Sequence, residues 1–283
     1  MIVVTGATGT VGSEVVRQLN AAGQKVRALV RDPAKAEKIK GANVELAKGD
    51  LTKPETVRAA LQGADKLFLL YTGADLPAVE AKVVEEAKKA GVKHVVYLSV
   101  IGAEMEPGIA LGRGHRDTEK AIEKAGIPYT FLRPSGFMSN MFNNLDSIKA
   151  QGKFYGPWGD GKMGLIHPAD IAASAVKALT TPGHEGKAYV LTGTESINNG
   201  EQAKILSQAV GKNIEYVAVP PEAAADGMLK GGMPKAYVDM LIEFSGVVRA
   251  GFAAATTGDL EKLLGRKPKT FADWSKENAA AFK

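Results

Sequence analysis

The 283-residue sequence contains no cysteine. Disulfides, thiolate metal sites and a cysteine nucleophile are therefore excluded, and the absence is compatible with a cytoplasmic protein. There are four histidines, none beside an acidic cluster, so no metal site is expected. No apolar stretch reaches the roughly 20 residues of a membrane-spanning helix, and no membrane partner is expected. The formal net charge is +5, but the basic residues are scattered in small groups such as Lys35, Lys38 and Lys40, or Arg266, Lys267 and Lys269. Nucleic-acid binding needs a concentrated basic stripe and a reading motif. Neither is present, so no nucleic-acid partner is expected. Met1 to Thr5 run directly into a strand-like segment without a charged leader or an apolar signal core, so no targeting segment is expected.

What is present is an alternating chain. Hydrophobic residues make up 45% and charged residues 24%, enough apolar material for one large α/β domain or a domain plus a small lobe. Short apolar runs at 2–5, 25–30, 43–47, 66–70, 94–98 and 128–133 read as strands. Between them lie helical patterns at 11–22, near 34–40, 54–62 and 76–90, and from about 116 to 125. Alternating strands and helices imply a Rossmann-type, doubly wound parallel sheet with helices on both faces. Residues 1–150 are expected to form the dinucleotide-binding domain. Residues 151–283 are expected to form a small carboxyl-terminal α/β lobe interleaved with the end of the main sheet. The later part carries a strand at 187–192, a helix near 200–210 and a strand at 214–219, then a methionine-rich helical region through Met228, Met233 and Met240.

The strongest motif follows the first strand: Gly6-Ala-Thr8-Gly9-Thr10-Val11-Gly12. Gly6 supplies a sharp turn. Gly9 lets backbone approach a pyrophosphate, and Gly12 lets the following helix pack closely. Amides at the helix start and the helix dipole then face the anion. Strand before and helix after make this more specific than the bare glycine pattern.

The nucleotide is chosen at the end of the second strand, where an acid would bind ribose hydroxyls and an arginine would take the extra phosphate of NADP. Both Arg31 and Asp32 are present. Asp32 precedes Pro33 and suits a helix N-cap. Arg31 is then the phosphate reader, and NADPH is the expected cofactor with NADH as the alternative. Asp50, beside Leu51 after the third strand, serves either the adenine amino group or a cap ahead of Lys53-Pro54. Ligands in such sheets bind beyond the carboxyl ends of the strands. Tyr71, Thr72, Ser99, Ile101 and the stretch Gly136 to Phe142 are candidates on that ground.

Taken together, the glycine loop, the Arg31-Asp-Pro turn, Gly49-Asp50-Leu51, His115-x-x-x-Glu119 and Gly126-Ile-Pro-Tyr-Thr-Phe-Leu-Arg-Pro134 resemble the NmrA-like branch of atypical short-chain dehydrogenases. Within it the chain is similar to type 2 quinone oxidoreductases and triphenylmethane reductases. The resemblance implies that backbone near Pro134 and Phe137 meets the nicotinamide. It also places Ser99 at the family's usual serine, with His115 and Leu111 where ordinary members carry lysine and tyrosine. A leucine cannot donate a proton, so alcohol–ketone chemistry through that pair is not expected. Two functions remain open: an NAD(P)H-dependent reductase of quinones, azo or triphenylmethane dyes or similar conjugated acceptors, and a catalytically silent NAD(P)-sensing regulator.

For the reductase, the expected partner is a small, flat, conjugated acceptor. Phe137, Met138, Met141 and Trp158 would form its soft apolar wall, with Ile101, Asn140 and His115 nearby. The same aromatic and methionine residues could instead pack the lobe core. His115 is a candidate proton donor, since an unperturbed imidazole titrates near about 6.5, and Ser99 a second catalytic candidate. Tyr237, Leu241, Phe244 and the late methionines recur at helical spacing, as core, lid or the face of a homodimer.

Overall fold

Ile2–Val4 (β1) is buried at all three positions, as a strand of a parallel sheet covered on both faces must be. The computed structural model describes all residues 1–283. After β1 come Thr10–Ala21 (α1), Val26–Val30 (β2), Val44–Lys48 (β3), Pro54–Leu61 (α2), Lys66–Leu69 (β4), Leu76–Lys89 (α3), His94–Leu98 (β5), Ala110–Ala125 (α4) and Tyr129–Pro134 (β6). The chain continues through Leu145–Gln151 (α5), Lys153–Gly156 (β7), Pro168–Thr180 (α6), Lys187–Leu191 (β8), Asn199–Val210 (α7) and Glu215–Ala218 (β9). It ends with Pro221–Lys230 (α8), Lys235–Arg249 (α9), Asp259–Leu264 (α10) and Phe271–Asn278 (α11).

The main sheet has seven strands in the order β3-β2-β1-β4-β5-β6-β8. The pairings from β3 through β6 are parallel, with Val4 opposite both Ala28 and Phe68. The strand order reverses between β1 and β4, and in a doubly wound sheet that switch point opens a crevice at the carboxyl ends of the strands. The expected fold class is therefore the observed one.

Three local readings are corrected. The segment near 34–40 forms two short 3-10 turns, Pro33–Lys35 and Glu37–Ile39, in place of a helix. Helix α4 begins at Ala110, not near 116, so Leu111 and His115 are helical. A strand that the sequence pattern did not signal, β7, pairs in parallel with β9.

The chain divides into two compact units. One comprises residues 1–108, 112–134 and 168–190, and the other 109–111, 135–167 and 191–283. The first long passage of the chain from one unit to the other is at Pro134–Ser135. The first unit's core includes Val3, Leu67, Leu69, Val83, Val95, Tyr97 and Phe131. The second is organised by Met138, Met141, Phe154, Leu206, Phe271 and Trp274. Met228, Met233, Met240, Leu241 and Phe244 are only half-buried, and Tyr237 is exposed, so that stripe does not supply this core. No helix is long and apolar enough to cross a membrane.

Candidate functional site

The glycine loop lies at the switch point and is pinned there by a residue the motif reading passed over. The Thr5 hydroxyl donates to the Leu70 carbonyl at 3.0 Å and accepts from the Leu70 amide at 2.8 Å. This clamps the carboxyl ends of β1 and β4 together. Gly6 then turns the chain at φ 59°, where a Cβ would also stand 2.9 Å from Leu70 Cγ. A Cβ on Gly12 would overlap the Gly6 carbonyl oxygen, so α1 packs this close only with glycine there. Gly9 is the N-cap of α1, with no side-chain cap and no acid in the first turn. Thr8, Gly9 and Thr10 are exposed while Val11 and Gly12 are buried. The helix thus presents uncapped amides and the positive end of its dipole, which suit a pyrophosphate. Val11 offers its amide alone, because its side chain is core.

Asp32 caps the turn after β2, accepting from the Ala34 amide at 3.1 Å. Arg31 beside it is exposed and makes no ion pair or hydrogen bond. A free guanidinium at this position has its fork available for a phosphate. Asp50 does not cap α2, whose N-cap is Lys53. Its carboxylate instead accepts from the amide and hydroxyl of Thr52, at 3.0 and 2.8 Å. Those bonds hold its pKa below the usual range against the opposing effect of burial, with the charges of Arg31 and Lys53 adding less. Leu51 points into the core, leaving only its backbone for a nucleotide. The Tyr71 hydroxyl donates to Asp75 at 2.9 Å; burial, then that bond, raises its pKa, with Asp50 and Arg31 also acting on it. Arg31, Asp50 and Tyr71 therefore share one electrostatic neighbourhood, and Thr72 is exposed beside Tyr71.

Beyond β5 the sequence expectations need correction. Ser99 is buried and its hydroxyl donates to Glu119 at 2.7 Å. Arg133 grips the same carboxylate through two bonds of 2.9 and 2.7 Å, and Arg116 adds a third contact at 3.0 Å. Burial alone would raise the Glu119 pKa, but Arg133 and Ser99 hold it below the ordinary value. Its proton is committed to this anchor. Ile101 is half-buried, its amide held by the Pro134 carbonyl at 3.0 Å.

His115 sits one helical turn after Leu111 and one before Glu119 on α4. Desolvation brings its pKa down to about 4, only partly opposed by Glu119. It is neutral at physiological pH and does not serve as an imidazolium acid, which corrects the sequence expectation. Its Nδ1 lies 2.7 Å from the Tyr97 hydroxyl, which lies 2.8 Å from Glu80 Oε2. Thr118 donates to the same Glu80 oxygen at 2.8 Å. The sequence reading missed Glu80, Tyr97 and Thr118. One signal was available: Glu80 interrupts the apolar stripe Leu76-Val79-Val83-Ala87 of α3, where an acid has no reason to stand unless it is partnered.

In the second unit, Met138 and Met141 are only 1% and 4% exposed and lie in its core. The packing that organises this unit takes up nearly all of their surface, which favours the core reading of the two methionines over the pocket wall. Phe137 is half-buried and bridges to Ile166, with the Met138 amide on the Ile166 carbonyl at 3.0 Å. Asn140 is exposed. Trp158 is half-buried, edge-on to Phe244 at 5.7 Å, and its amide donates to the Tyr216 hydroxyl at 3.2 Å. Phe137, Asn140 and Trp158 keep the surface a ligand could use.

A model of the NmrA-like family matches residues 1–275. The chain is 40% identical over 283 residues to an NAD(P)H azoreductase of Xenophilus azovorans, covering 100% of this chain and 99% of that one. Among solved structures it is similar to the NADPH-dependent quinone oxidoreductase of Escherichia coli complexed with NADPH. That comparison gives a TM-score of 0.88 and 31% identity, over 98% of this chain and 99% of the other. It is also similar to the Citrobacter sp. triphenylmethane reductase complexed with NADP(H), with a TM-score of 0.84, 31% identity and the same coverage.

Proposed function

Since the chain belongs to the NmrA-like family, we propose that it is an NAD(P)H-dependent oxidoreductase that reduces a quinone, an azo or triphenylmethane dye, or a similar conjugated acceptor. The observation that carries this reading is the pairing of an uncapped, acid-free helix start behind the Gly6–Gly12 loop with a site that holds no ready proton donor. Leu111 stands where a tyrosine would act, Ser99 is anchored on Glu119, and His115 is neutral.

The residues present fit NADPH. The amides of the Gly6–Gly12 loop would hold the pyrophosphate, and the unpaired Arg31 the ribose phosphate. Asp50, Leu51 backbone, Tyr71 and Thr72 would border the adenosine end. Pro134 and Phe137 would border the nicotinamide by their backbone. The bound nucleotide supplies hydride, the step the protein itself cannot perform. The protein's part is to position it, and orientation alone can contribute several kcal/mol. Hydride addition to a conjugated acceptor spreads the negative charge, so a proton from water suffices. Phe137 and Trp158 would offer a ring edge and face to a flat acceptor.

The test is oxidation of NADPH and NADH against a panel of quinones, azo dyes and triphenylmethane dyes. Acceptor-dependent oxidation, faster with NADPH, is expected. Tight NADPH binding with no oxidation of any acceptor would overturn the reductase in favour of a dinucleotide-sensing regulator.

A further inference from the structure

Glu80, on the inner face of α3, is fully buried, and no lysine or arginine pairs with it. The hydroxyls of Tyr97 and Thr118 both donate to one oxygen, Oε2, and the Tyr71 backbone amide adds a weaker stabilising approach to the carboxyl, while Oε1 has no partner within hydrogen-bond distance. A buried carboxylate with one bare oxygen is costly, whereas a neutral carboxyl is accommodated. The titratable groups packed against this cluster are Tyr97 from β5 and His115 and Glu119 from α4, and Glu119 is already neutralised by Arg133 and Arg116. On α2, Arg58 is engaged by Glu86 further along α3.

Counting protons fixes the rest. Tyr97 has a single hydroxyl proton and two neighbours that could receive it, Glu80 Oε2 at 2.8 Å and His115 Nδ1 at 2.7 Å. When Glu80 is neutral with its proton on Oε2, the oxygen in reach of Tyr97, it donates to the Tyr97 oxygen, and Tyr97 donates to His115 Nδ1. The imidazole proton is then on Nε2. When Glu80 is ionised it takes the Tyr97 proton bond, the stronger, charge-assisted one. His115 Nδ1 must then carry the proton and donate to the Tyr97 oxygen, leaving Nε2 a bare acceptor. His115 Nε2 has no hydrogen-bond partner within the protein and is not sealed from its surface.

We propose that Glu80, Tyr97 and His115 form a buried tautomer switch, in which the protonation of Glu80 decides whether His115 presents an Nε2–H donor or an Nε2 acceptor. Burial raises the Glu80 pKa to about 8, with the hydroxyls of Tyr97 and Thr118 and then the Tyr71 amide opposing it, so the donor form holds at neutral pH and the acceptor form appears on alkalinisation. Glu80 and Tyr97 are positioning residues acting through His115. The use of the switch in turnover rests on the reductase reading, where an Nε2–H donor suits a nicotinamide ribose hydroxyl or an acceptor oxygen.

The test is 15N NMR of histidine-labelled protein without nucleotide, from pH 6 to 9.5, with His115→Asn assigning the signal. Wild type should pass from the Nε2–H to the Nδ1–H tautomer. Glu80→Gln, an isostere that cannot ionise, should show a single tautomer with no transition across this range, and Tyr97→Phe should remove the response. An unchanged tautomer in wild type, or the same transition in Glu80→Gln, would overturn the proposal. The tautomer is read without turnover, so it stands or falls separately from the acceptor assay.

Discussion

Arg31 and Asp32 are neighbours in sequence, and the turn between β2 and β3 separates their work. Asp32 is held by the Ala34 amide while Arg31 is left unpaired. The nucleotide preference therefore rests on one guanidinium. Arg31→Glu should raise KM for NADPH by roughly 10- to 100-fold, the loss of a charge-assisted phosphate contact plus added repulsion. KM for NADH should change less than about threefold by the same reasoning. Steady-state kinetics with both nucleotides check this, and equal losses would remove Arg31 from the phosphate site. His115 carries the opposite lesson. As a residue type it titrates near neutrality, yet its surroundings keep it neutral. Met138 and Met141 likewise had the chemistry of a soft pocket wall, and only their neighbours show them to be core.

At the scale of elements, helix α4 is fastened to the sheet by one carboxylate. Glu119 accepts from Ser99 at the end of β5 and from Arg133 at the end of β6. Arg133 also meets Glu104 at 3.1 Å. Removing Glu119 strands a mostly buried guanidinium with only that partner. Glu119→Ala should therefore cost about 3 kcal/mol. Glu123→Ala, which breaks the more exposed pair with Arg116, should cost under about 1 kcal/mol. Urea unfolding of both variants decides between an anchoring and a superficial role, and comparable losses would count against the anchor. The motif His115-x-x-x-Glu119 thus marks two functions on one helix face: Glu119 sets where α4 sits, and His115 rides on that placement.

At the scale of the whole molecule, the same buried groups shape the pH dependence of folding. The Glu80 pKa is raised from 4.5 to about 8, so its stabilising contribution is complete below about 4.5 and is lost as pH rises through about 8. The His115 pKa is lowered from 6.5 to about 4, so its contribution is present above 6.5 and is lost as pH falls through about 4. The two slopes oppose each other between them, and stability should decline from about pH 6.5 to 8. Wild-type Tm should fall by about 4 °C over that interval, and Glu80→Gln should flatten the fall. Calorimetry at fixed ionic strength checks it, and an equally steep fall in the variant would remove Glu80 as the cause. What the sequence determined by itself is everything carried by local spacing: strand–helix alternation, the Gly6–Gly12 loop and the Asp32 cap, to which the family resemblance adds that Leu111 stands at the usual tyrosine position. These depend on backbone geometry and near neighbours, which spacing encodes. Only the tertiary structure decided the states of His115, Ser99 and Glu80 and the burial of Met138 and Met141. Those depend on desolvation and on partners far apart in sequence, such as Glu80 with Thr118 and Met138 with Phe271 and Trp274, and no local pattern records which side chains the packing will bring together.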